Sequence, residues 1–385
     1  MTSIKKDTLF IAVSLVVALL LGEAGARIIL PPPARADRSA IVAANEVRKP
    51  SNRITFQSLH RTDPQIGWVL NPAPLEHRAR LVDSHGILQY DVVYSLESGR
   101  RKTSASLHDG PEVLAAGCSF TFGHGLNDQD TWPWLLQEKL PQYRVVNAGC
   151  MGYGTDQALL AAEREVEQHP SQVKAVIFGF GDFQIERNRS TQGWLVTVYP
   201  FSKPLFVVRS SDVAYLRQVS FWNGGAAAQY SNLFGQITNT LANRINGIPS
   251  HEGARDLTAA LLISFGQRFQ KRGIGFAVVM LPYHGDNSPQ ARKDRRLIGE
   301  RLQAAGIPTM TAELPRDSKG AFDVHDFMVS TIDRHPNRRY NVALTSQLLP
   351  FLRSAGITAP SSSNQSSASA IQPSARLGGS YPEPR

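Results

Sequence analysis

Residues 113–123 read VLAAGCSFTFG, an apolar run that ends in a serine between a cysteine and a phenylalanine. A short continuous apolar run bounded by turn residues is typical of a strand buried in a sheet. A serine at the following turn can cap a helix, or it can be a nucleophile held at the rim of the sheet. The choice for Ser119 depends on what the rest of the chain brings to the same rim.

The same pattern of an apolar strand, a turn and an amphipathic helix recurs along the chain. It predicts strands over 113–119, 143–149, 173–181, 275–284 and 307–314, and helices over 130–140, 154–169, 251–273, 291–306 and 341–356. Continuous apolar strands that alternate with helices indicate a parallel sheet covered on both faces. We therefore predict an α/β fold, a three-layer α/β/α sandwich with a five-stranded parallel sheet of the flavodoxin-like type and a small β-rich N-terminal lead-in.

Composition divides the 385 residues into several segments. The end of the chain is rich in serine, with too few large apolar residues to offset the entropy of ordering. We predict an anchor segment over 1–36, a linker over 37–60, a β-rich lead-in over 61–110, a main domain over 111–356 with an insertion at about 183–250, and a disordered tail over 357–385.

The N-terminal segment is apolar enough to enter a membrane. No charge occurs from Leu9 to Gly22. Glu23 and Arg27 follow, spaced so that they can partly neutralise each other, and the segment read through to Leu30 has 22 residues. This length is about enough to cross a hydrocarbon core of about 30 Å. A cleaved signal peptide is the alternative, since Lys5 and Lys6 precede the run, but no small-x-small cleavage site directly follows Gly22. We favour an uncleaved signal anchor.

Orientation follows from the charges that flank the apolar run. Lys5 and Lys6 favour a cytoplasmic N-terminus, although Arg27, Arg35 and Arg38 compete with them. We expect a single-pass protein of the bacterial inner membrane with its globular part in the periplasm, or a secreted protein if the signal is cleaved.

Charge and cysteine content argue against several classes of protein. The net charge is +9, but the basic residues are scattered, so we expect no nucleic-acid partner. Two cysteines are too few for a disulfide framework. Cys118 and Cys150 would lie at adjacent strand ends, where they could pair in an oxidising compartment; we favour two buried thiols. No cluster has metal-site spacing, and we expect neither a metal nor another cofactor.

Polar motifs follow the predicted strands at one edge of the sheet. Ser119 ends the first strand, NAGCMGYGT (147–155) ends the second and GFGDF (179–183) ends the third, while DRHPN (333–337) precedes the last helix. Ligands of open parallel sheets bind at the carboxyl ends of the strands. A serine needs a base to become a nucleophile, and His335 is the candidate; Asp333 can orient its imidazole.

These four motifs, in this order, resemble blocks I, II, III and V of the SGNH hydrolases, also called GDSL-type esterases and lipases. The segment from Asp63 to Pro72 (DPQIGWVLNP) is similar to the lead-in of membrane-anchored bacterial members. The resemblance covers about residues 60–355. It implies that Ser119, His335 and Asp333 are the catalytic residues.

The resemblance also implies an oxyanion hole formed by the amides of Ser119 and Gly152, with Gly149 as a competitor in the same loop. Three positions depart from the family pattern. Cys118 stands where the family has aspartate, one residue rather than two separates Asp333 from His335, and Gly181 replaces the block III asparagine. Loss of one oxyanion donor typically costs about 10²–10³ in rate. Asn188 or another residue of the insertion could substitute, or the reaction could be slow or different.

Other side chains offer rival assignments. Asp323 and His325 form a second Asp-x-His pair, and His124 and His284 could also face the site. We favour His335 because Pro-Asn and a helix follow it. We expect Asp182 to anchor its loop by accepting backbone donors.

The predicted function is that of a serine ester hydrolase acting on an acyl ester. One substrate candidate is an O-acetyl group of a cell-envelope glycan, and the expected partners are this ester and the membrane. Two alternatives remain open: an acyltransferase to a glycan hydroxyl, and an anchored glycan-binding or assembly protein with a degenerate site. The absent block III asparagine favours the last.

Overall fold

The structure is a computed structural model that describes residues 2–33, 59–73, 75–106, 109–198, 200–210, 212–222, 231–281, 288–315 and 323–358. Most of the predicted linker (37–60), nearly all of the predicted tail (357–385), the basic residues Arg35 and Arg38 and the rival His284 lie outside this part of the chain. The fold continues to Thr358, whose side chain is buried, so the ordered part extends just past the predicted boundary at 356.

Helix α1 spans Thr2–Ile29, and its apolar stretch Phe10–Ile29 has the length and hydropathy of a membrane-spanning helix. Signal sequences share these properties. The helix ends where three prolines, which cannot donate backbone hydrogen bonds, follow at 31–33.

The largest sheet among the described residues has eight strands in the order β12-β11-β8-β6-β7-β5-β4-β3. Its strands are β3 (Leu75–Val82), β4 (Leu88–Glu97), β5 (Arg100–Arg101), β6 (Glu112–Gly117), β7 (Arg144–Gly149), β8 (Val173–Phe180), β11 (Gly275–Met280) and β12 (Thr309–Thr311). Strands β12, β11, β8, β6 and β7 are parallel. They are the five predicted strands, in the flavodoxin-like order 2-1-3-4-5.

Helices cover both faces of this sheet. The helices that follow α1 in the described chain are α2 (Ser119–Phe122), α3 (Trp132–Lys139), α4 (Thr155–Gln168), α5 (Gln184–Arg189), α6 (Gln192–Leu195), α7 (Asn232–Asn246), α8 (His251–Lys271), α9 (Pro289–Ala304) and α10 (Arg338–Ser354). Helices α3 and α10 pack together, and α8 packs against both α4 and α9. The predicted three-layer α/β/α fold class is confirmed.

The β-rich lead-in is present, but part of it joins the main sheet. Strands β1 (His60–Asp63) and β2 (Gly67–Leu70) form a separate hairpin, whereas β3, β4 and β5 extend the parallel sheet as antiparallel strands. The connection is short: Arg101 pairs with Asn147 of β7. A two-residue strand carries no periodicity, which is why the sequence does not reveal this junction.

The insertion after β8 contains helices α5, α6 and α7 and a long hairpin. Strands β9 (Ser202–Arg209) and β10 (Asp212–Ser220) pair with each other and not with the main sheet. Helix α5 packs on α8, which places the start of the insertion next to the carboxyl ends of the parallel strands.

Candidate active site

Ser119 lies at the turn between β6 and α2, and its side chain is almost completely buried. The backbone can make this turn because position 117 is a glycine. A Cβ atom there would lie 2.3 Å from Thr121 Oγ1, and the φ angle of +156° also favours glycine. The turn therefore holds the serine at the carboxyl end of the central strand.

A compact loop before α10 positions the histidine. Val329 N donates to the carbonyl of His335 at 2.8 Å, and Ser330 N donates to the carbonyl of Asp333 at 3.0 Å. Asn337 caps α10 and also donates from its side chain to the carbonyl of Met328. The loop thus fixes both Asp333 and His335 on the framework of the last helix.

The structure brings Ser119, His335 and Asp333 into direct contact. The Nε2 atom of His335 lies 2.9 Å from Ser119 Oγ, and its Nδ1 atom lies 2.5 Å from Asp333 Oδ1. The backbone amide of His335 also donates to Asp333 Oδ1, at 3.1 Å. One intervening residue between Asp333 and His335 is therefore compatible with the hydrogen bond that a longer spacing makes in the family.

The electrostatics of the site favour a neutral imidazole beside an ionised carboxylate. Burial lowers the pKa of His335 below its usual value of 6.5, against the opposing effect of Asp333. The positive charge of Arg187 acts in the same direction as burial. Burial opposes ionisation of Asp333, but hydrogen bonds from His124 and His335 hold its pKa well below the usual range. A neutral histidine near pH 7 can accept the serine proton.

A second imidazole contacts the same carboxylate. His124 Nε2 lies 3.2 Å from Asp333 Oδ2 and 3.1 Å from the Tyr90 hydroxyl. The sequence pattern suggested a residue at the rim of the site, and the contact with Asp333 is an addition that it did not reveal. The loop that carries His124 is held by the buried Arg101, which donates to the carbonyl oxygens of Phe122 and Gly123.

Two amides are available for an oxyanion at the predicted positions. Ser119 is the first residue of α2, where a backbone N–H has no acceptor within the helix. Gly152 has a φ angle of +79°, and within the part of the chain that the structure describes its amide donates no backbone hydrogen bond. The amide of Gly149, the competitor, donates to Asn147 Oδ1 at 3.0 Å.

The place of the block III asparagine is filled by an aromatic ring. A Cβ atom at Gly181 would lie 2.5 Å from the ring of Phe183, which packs against Phe120 at 5.0 Å between ring centroids. Asn188 does not take over the role in this structure. It accepts from Thr155 N and donates to Thr258 Oγ1 at 2.7 Å, so its amide is engaged away from Ser119.

A cation lies next to this ring. The Arg187 guanidinium stands 4.5 Å from the centre of the Phe183 ring and donates to the carbonyl of Tyr153 at 2.8 Å. Tyr153 directly follows Gly152, so Arg187 holds the block II loop and adds positive charge near His335. The sequence shows this arginine only as one of several in the insertion.

The lead-in motif packs beneath the block II loop. The buried Trp68 donates from Nε1 to the carbonyl of Met151 at 3.0 Å, and the Tyr153 hydroxyl donates to the carbonyl of Trp68 at 2.6 Å. Asp63 forms an ion pair with Arg164 of α4 at 2.6 Å. The motif from Asp63 to Pro72 thus fixes the loop that carries Gly152.

The rival pair, Asp323 and His325, forms a local contact of its own. Asp323 accepts from the backbone amide of His325 at 2.9 Å and caps the short 3₁₀ helix Val324–Phe327. Ser119 has His335 as its imidazole partner instead. Asp182 forms an ion pair with Arg295 of α9, which connects its loop to that helix.

The two cysteines are free and buried in the structure. Burial also raises the pKa of Cys150. Buried free thiols act as small apolar side chains, which agrees with the favoured interpretation of Cys118 and Cys150.

Among the described residues, one cluster of three potential metal ligands occurs, and it lies next to Ser119. His124, Asp333 and His335 bring ligand atoms within 4.8 Å of one another. Both ring nitrogens of His335 already have partners, Ser119 and Asp333. Hydrogen bonding therefore accounts for this cluster without a metal ligand set.

Comparison with known proteins gives similarity to solved structures only. No protein-family model matches the chain. No curated protein sequence matches it either. The similar solved structures include the esterase EstA from Pseudoalteromonas sp. (14% identity, TM-score 0.37, covering 63% of this chain and 97% of EstA).

Two further structures are similar to a comparable degree. One is AlinE4, an SGNH-hydrolase family esterase (13% identity, TM-score 0.30, covering 56% of this chain and 90% of AlinE4). The other is a catalytic mutant of Axe2, an acetylxylan esterase from Geobacillus stearothermophilus (12% identity, TM-score 0.35, covering 65% and 96%). At these values the likenesses do not identify the activity or the substrate of this chain, whose own site geometry must carry any assignment.

Proposed function

We propose that this chain is a serine ester hydrolase of the SGNH type. The observation that carries the proposal is the unbroken series of contacts from Ser119 Oγ through the His335 imidazole to the Asp333 carboxylate, at 2.9 and 2.5 Å. The four sequence blocks support it, because they occur in the order of the family pattern and the first three follow the parallel strands β6, β7 and β8. A degenerate site would not need these three side chains in mutual contact.

The mechanism follows from the geometry. His335 Nε2 accepts the proton as Ser119 Oγ attacks the acyl carbonyl, and Asp333 stabilises the imidazolium that forms. The amides of Ser119 and Gly152 donate to the developing oxyanion. Collapse of this intermediate breaks the ester bond, and His335 returns the proton to the leaving alcohol. A water molecule then repeats the sequence on the acyl-enzyme and releases the acid and free Ser119.

The substrate is proposed at the level of a class. An acyl ester fits the site chemistry, and an O-acetyl group of a cell-envelope glycan is the candidate that an anchored periplasmic protein would meet. This candidate depends on the proposal that α1 anchors the chain in the inner membrane, with the globular part outside the cytoplasm.

Hydrolysis of short p-nitrophenyl esters by the full chain tests the proposal. We expect turnover by the wild type and a loss of at least about 10³-fold in Ser119→Ala, with an unchanged unfolding midpoint. Asn127→Ala, on a neighbouring loop, is the control for handling of the protein. Equal rates in the wild type and Ser119→Ala would overturn the proposal. Product analysis with a glycan acceptor present would then separate hydrolysis from acyl transfer.

A further inference from the structure

Helix α7 directs its apolar side chains away from the protein. Phe234, Ile237, Leu241 and Ile245 are 43%, 52%, 46% and 60% exposed. Their spacing of three, four and four residues places them in one stripe along the helix. A contiguous apolar stripe of this kind marks an interaction surface.

The opposite side of α7 contains small and polar residues. Gly235, Asn239 and Ala242 are the buried positions of this helix. A helix that packs on a soluble protein shows the reverse arrangement, with its large apolar residues turned inward. The outward stripe of α7 therefore offers an apolar surface that the described part of the chain does not cover.

Helix α7 begins directly at the helix that we propose as the anchor. The Glu23 carboxylate accepts from Ser231 Oγ at 2.6 Å and from the amides of Asn232 and Leu233 at 2.9 Å each. It thus caps the N-terminus of α7, where a negative charge is favourable. Leu233 approaches α1 at Gly22. A Cβ atom at this position would lie 3.2 Å from Leu233 Cδ2, so a glycine allows the close contact.

The depth of this junction matches that of a helix lying in a membrane interface. Glu23 stands six residues before Ile29, the end of the apolar stretch. At about 1.5 Å per residue this is about 9 Å along the helix. Interfacial amphipathic helices bury their apolar face by about 5–10 Å. When Phe10–Ile29 spans the hydrocarbon core, the start of α7 lies about 9 Å inside the edge of the core, within the depth to which interfacial helices bury their apolar face.

Neighbouring side chains fit the same environment. Arg244 is exposed near the end of α7, and the exposed Arg217 donates to the carbonyl of Ile245 at 2.8 Å. Trp222, which is 45% exposed, is held next to α7 because Gln192 bonds both to its amide and to Asn243. Basic residues and tryptophan are the side chains that membrane interfaces favour.

We propose that α7 lies in the outer surface of the membrane that α1 spans, with Phe234, Ile237, Leu241 and Ile245 in contact with lipid. The catalytic domain then has two contacts with the bilayer, a spanning helix and an in-plane helix. A single helix would leave the domain free to rotate, whereas two contacts fix one face toward the lipid. The proposal goes beyond the hydrolase function and does not depend on it.

A fluorescent probe at position 241 tests the proposal in the full chain. Leu241→Cys is labelled with an environment-sensitive fluorophore, and the protein is inserted at one copy per nanodisc made of phosphatidylcholine and phosphatidylglycerol. Nitroxide groups on shallow acyl positions report contact with lipid, and aqueous iodide reports exposure to water. Leu15→Cys marks the bilayer interior, and Ser346→Cys on α10 marks an exposed site remote from α7. The native cysteines are buried, and the fluorophore that the wild type incorporates under the same conditions gives the background labelling.

We expect the probe at 241 to be quenched at least about threefold more by shallow lipid nitroxides than the probe at 346, and to be protected from iodide. Quenching by iodide without quenching by lipid would overturn the proposal. Protection that appears only when two copies share a disc would overturn it as well, because the stripe would then contact a second copy. These readouts need no catalysis, so loss of the hydrolase proposal would leave them intact.

Discussion

His124 is the residue whose position changes the description of the site most. Its Nε2 atom lies 3.2 Å from Asp333 Oδ2, while His335 uses the other oxygen of the same carboxylate. Asp333 is thus held from both sides. A carboxylate fixed in this way can keep the His335 ring in the orientation that points Nε2 at Ser119.

Replacing His124 with glutamine tests this positioning role. A hydrogen bond to a charged group is worth about 1.5–3 kcal/mol, so we expect kcat to fall about tenfold or more while KM changes little. His325→Gln is the matched control, because His325 belongs to the rival Asp-x-His pair and is exposed. An unchanged kcat in His124→Gln, or a large loss in His325→Gln, would contradict the assignment.

Arg187 is one of the groups that keep the pKa of His335 low, although burial has the largest effect. Its positive charge disfavours protonation of His335, which must be neutral to accept the serine proton. The wild type should therefore keep its activity below pH 6.5, the usual pKa of histidine. In Arg187→Met the pKa of His335 rises, and the acid limb of kcat/KM should move to higher pH.

Arg187→Lys separates charge from shape in that experiment. The lysine keeps the positive charge but not the planar stacking on Phe183 or the fixed bond to the Tyr153 carbonyl. We expect its acid limb to stay close to that of the wild type. If both variants shift equally, the effect comes from the block II loop and not from charge.

At the residue level, the sequence indicates which side chains lie together where short motifs contain them. Ser119, Asp333 and His335 stand in short blocks with a definite order, and the structure brings them together. The contact between His124 and Asp333 joins two loops that are far apart in the chain, and no local pattern encodes it. The sequence also does not predict that the Phe183 ring lies next to Gly181, because only the fold shows which side chain occupies that space.

At the scale of elements, the lead-in hairpin supports the block II loop. Trp68 Nε1 donates to the carbonyl of Met151, and the Tyr153 hydroxyl donates to the carbonyl of Trp68. Both neighbours of Gly152, whose amide we propose as an oxyanion donor, are therefore bonded to the hairpin. The lead-in is therefore a structural support for the site and not a separate module. This explains why the motif from Asp63 to Pro72 accompanies the catalytic blocks.

Tyr153→Phe tests the coupling between these elements. Removal of the hydroxyl deletes its hydrogen bond to the carbonyl of Trp68, and we expect the free energy of unfolding in urea to fall by about 0.5–1.5 kcal/mol. Turnover should fall as well, because the loop carrying Gly152 loses a support. Tyr215→Phe, at a side chain that is 51% exposed, should change stability by less than about 0.5 kcal/mol. Equal effects of the two variants would argue against a role for the hairpin.

The periodicity of the sequence predicts the elements better than their junctions. All five parallel strands follow from apolar runs, since strands buried on both faces need such residues. The end of β11 at Met280 is earlier than predicted, and the remaining predicted residues up to His284 lie mostly outside the described chain. The antiparallel extension through β5 depends on one residue pair and leaves no pattern.

At the scale of the whole molecule, the proposed catalytic rim and the proposed membrane contacts belong to one chain in a fixed relation. The insertion contains both Arg187, next to the site, and α7, next to α1. A segment that looks featureless in the sequence thus joins the two functional surfaces. Its role was not predictable, because the apolar residues of α7 have helical spacing whichever way that stripe faces.

Labelling of the full chain with a serine-reactive alkyl phosphonate, followed by peptide mapping, tests the central claim most directly. The account predicts one modified residue, Ser119, with labelling lost in Ser119→Ala and slowed at least about 10²-fold in His335→Ala, because the hydroxyl then lacks its base. His325→Ala should label at the rate of the wild type. Modification at another residue, or labelling of Ser119 at the same rate without His335, would contradict the account.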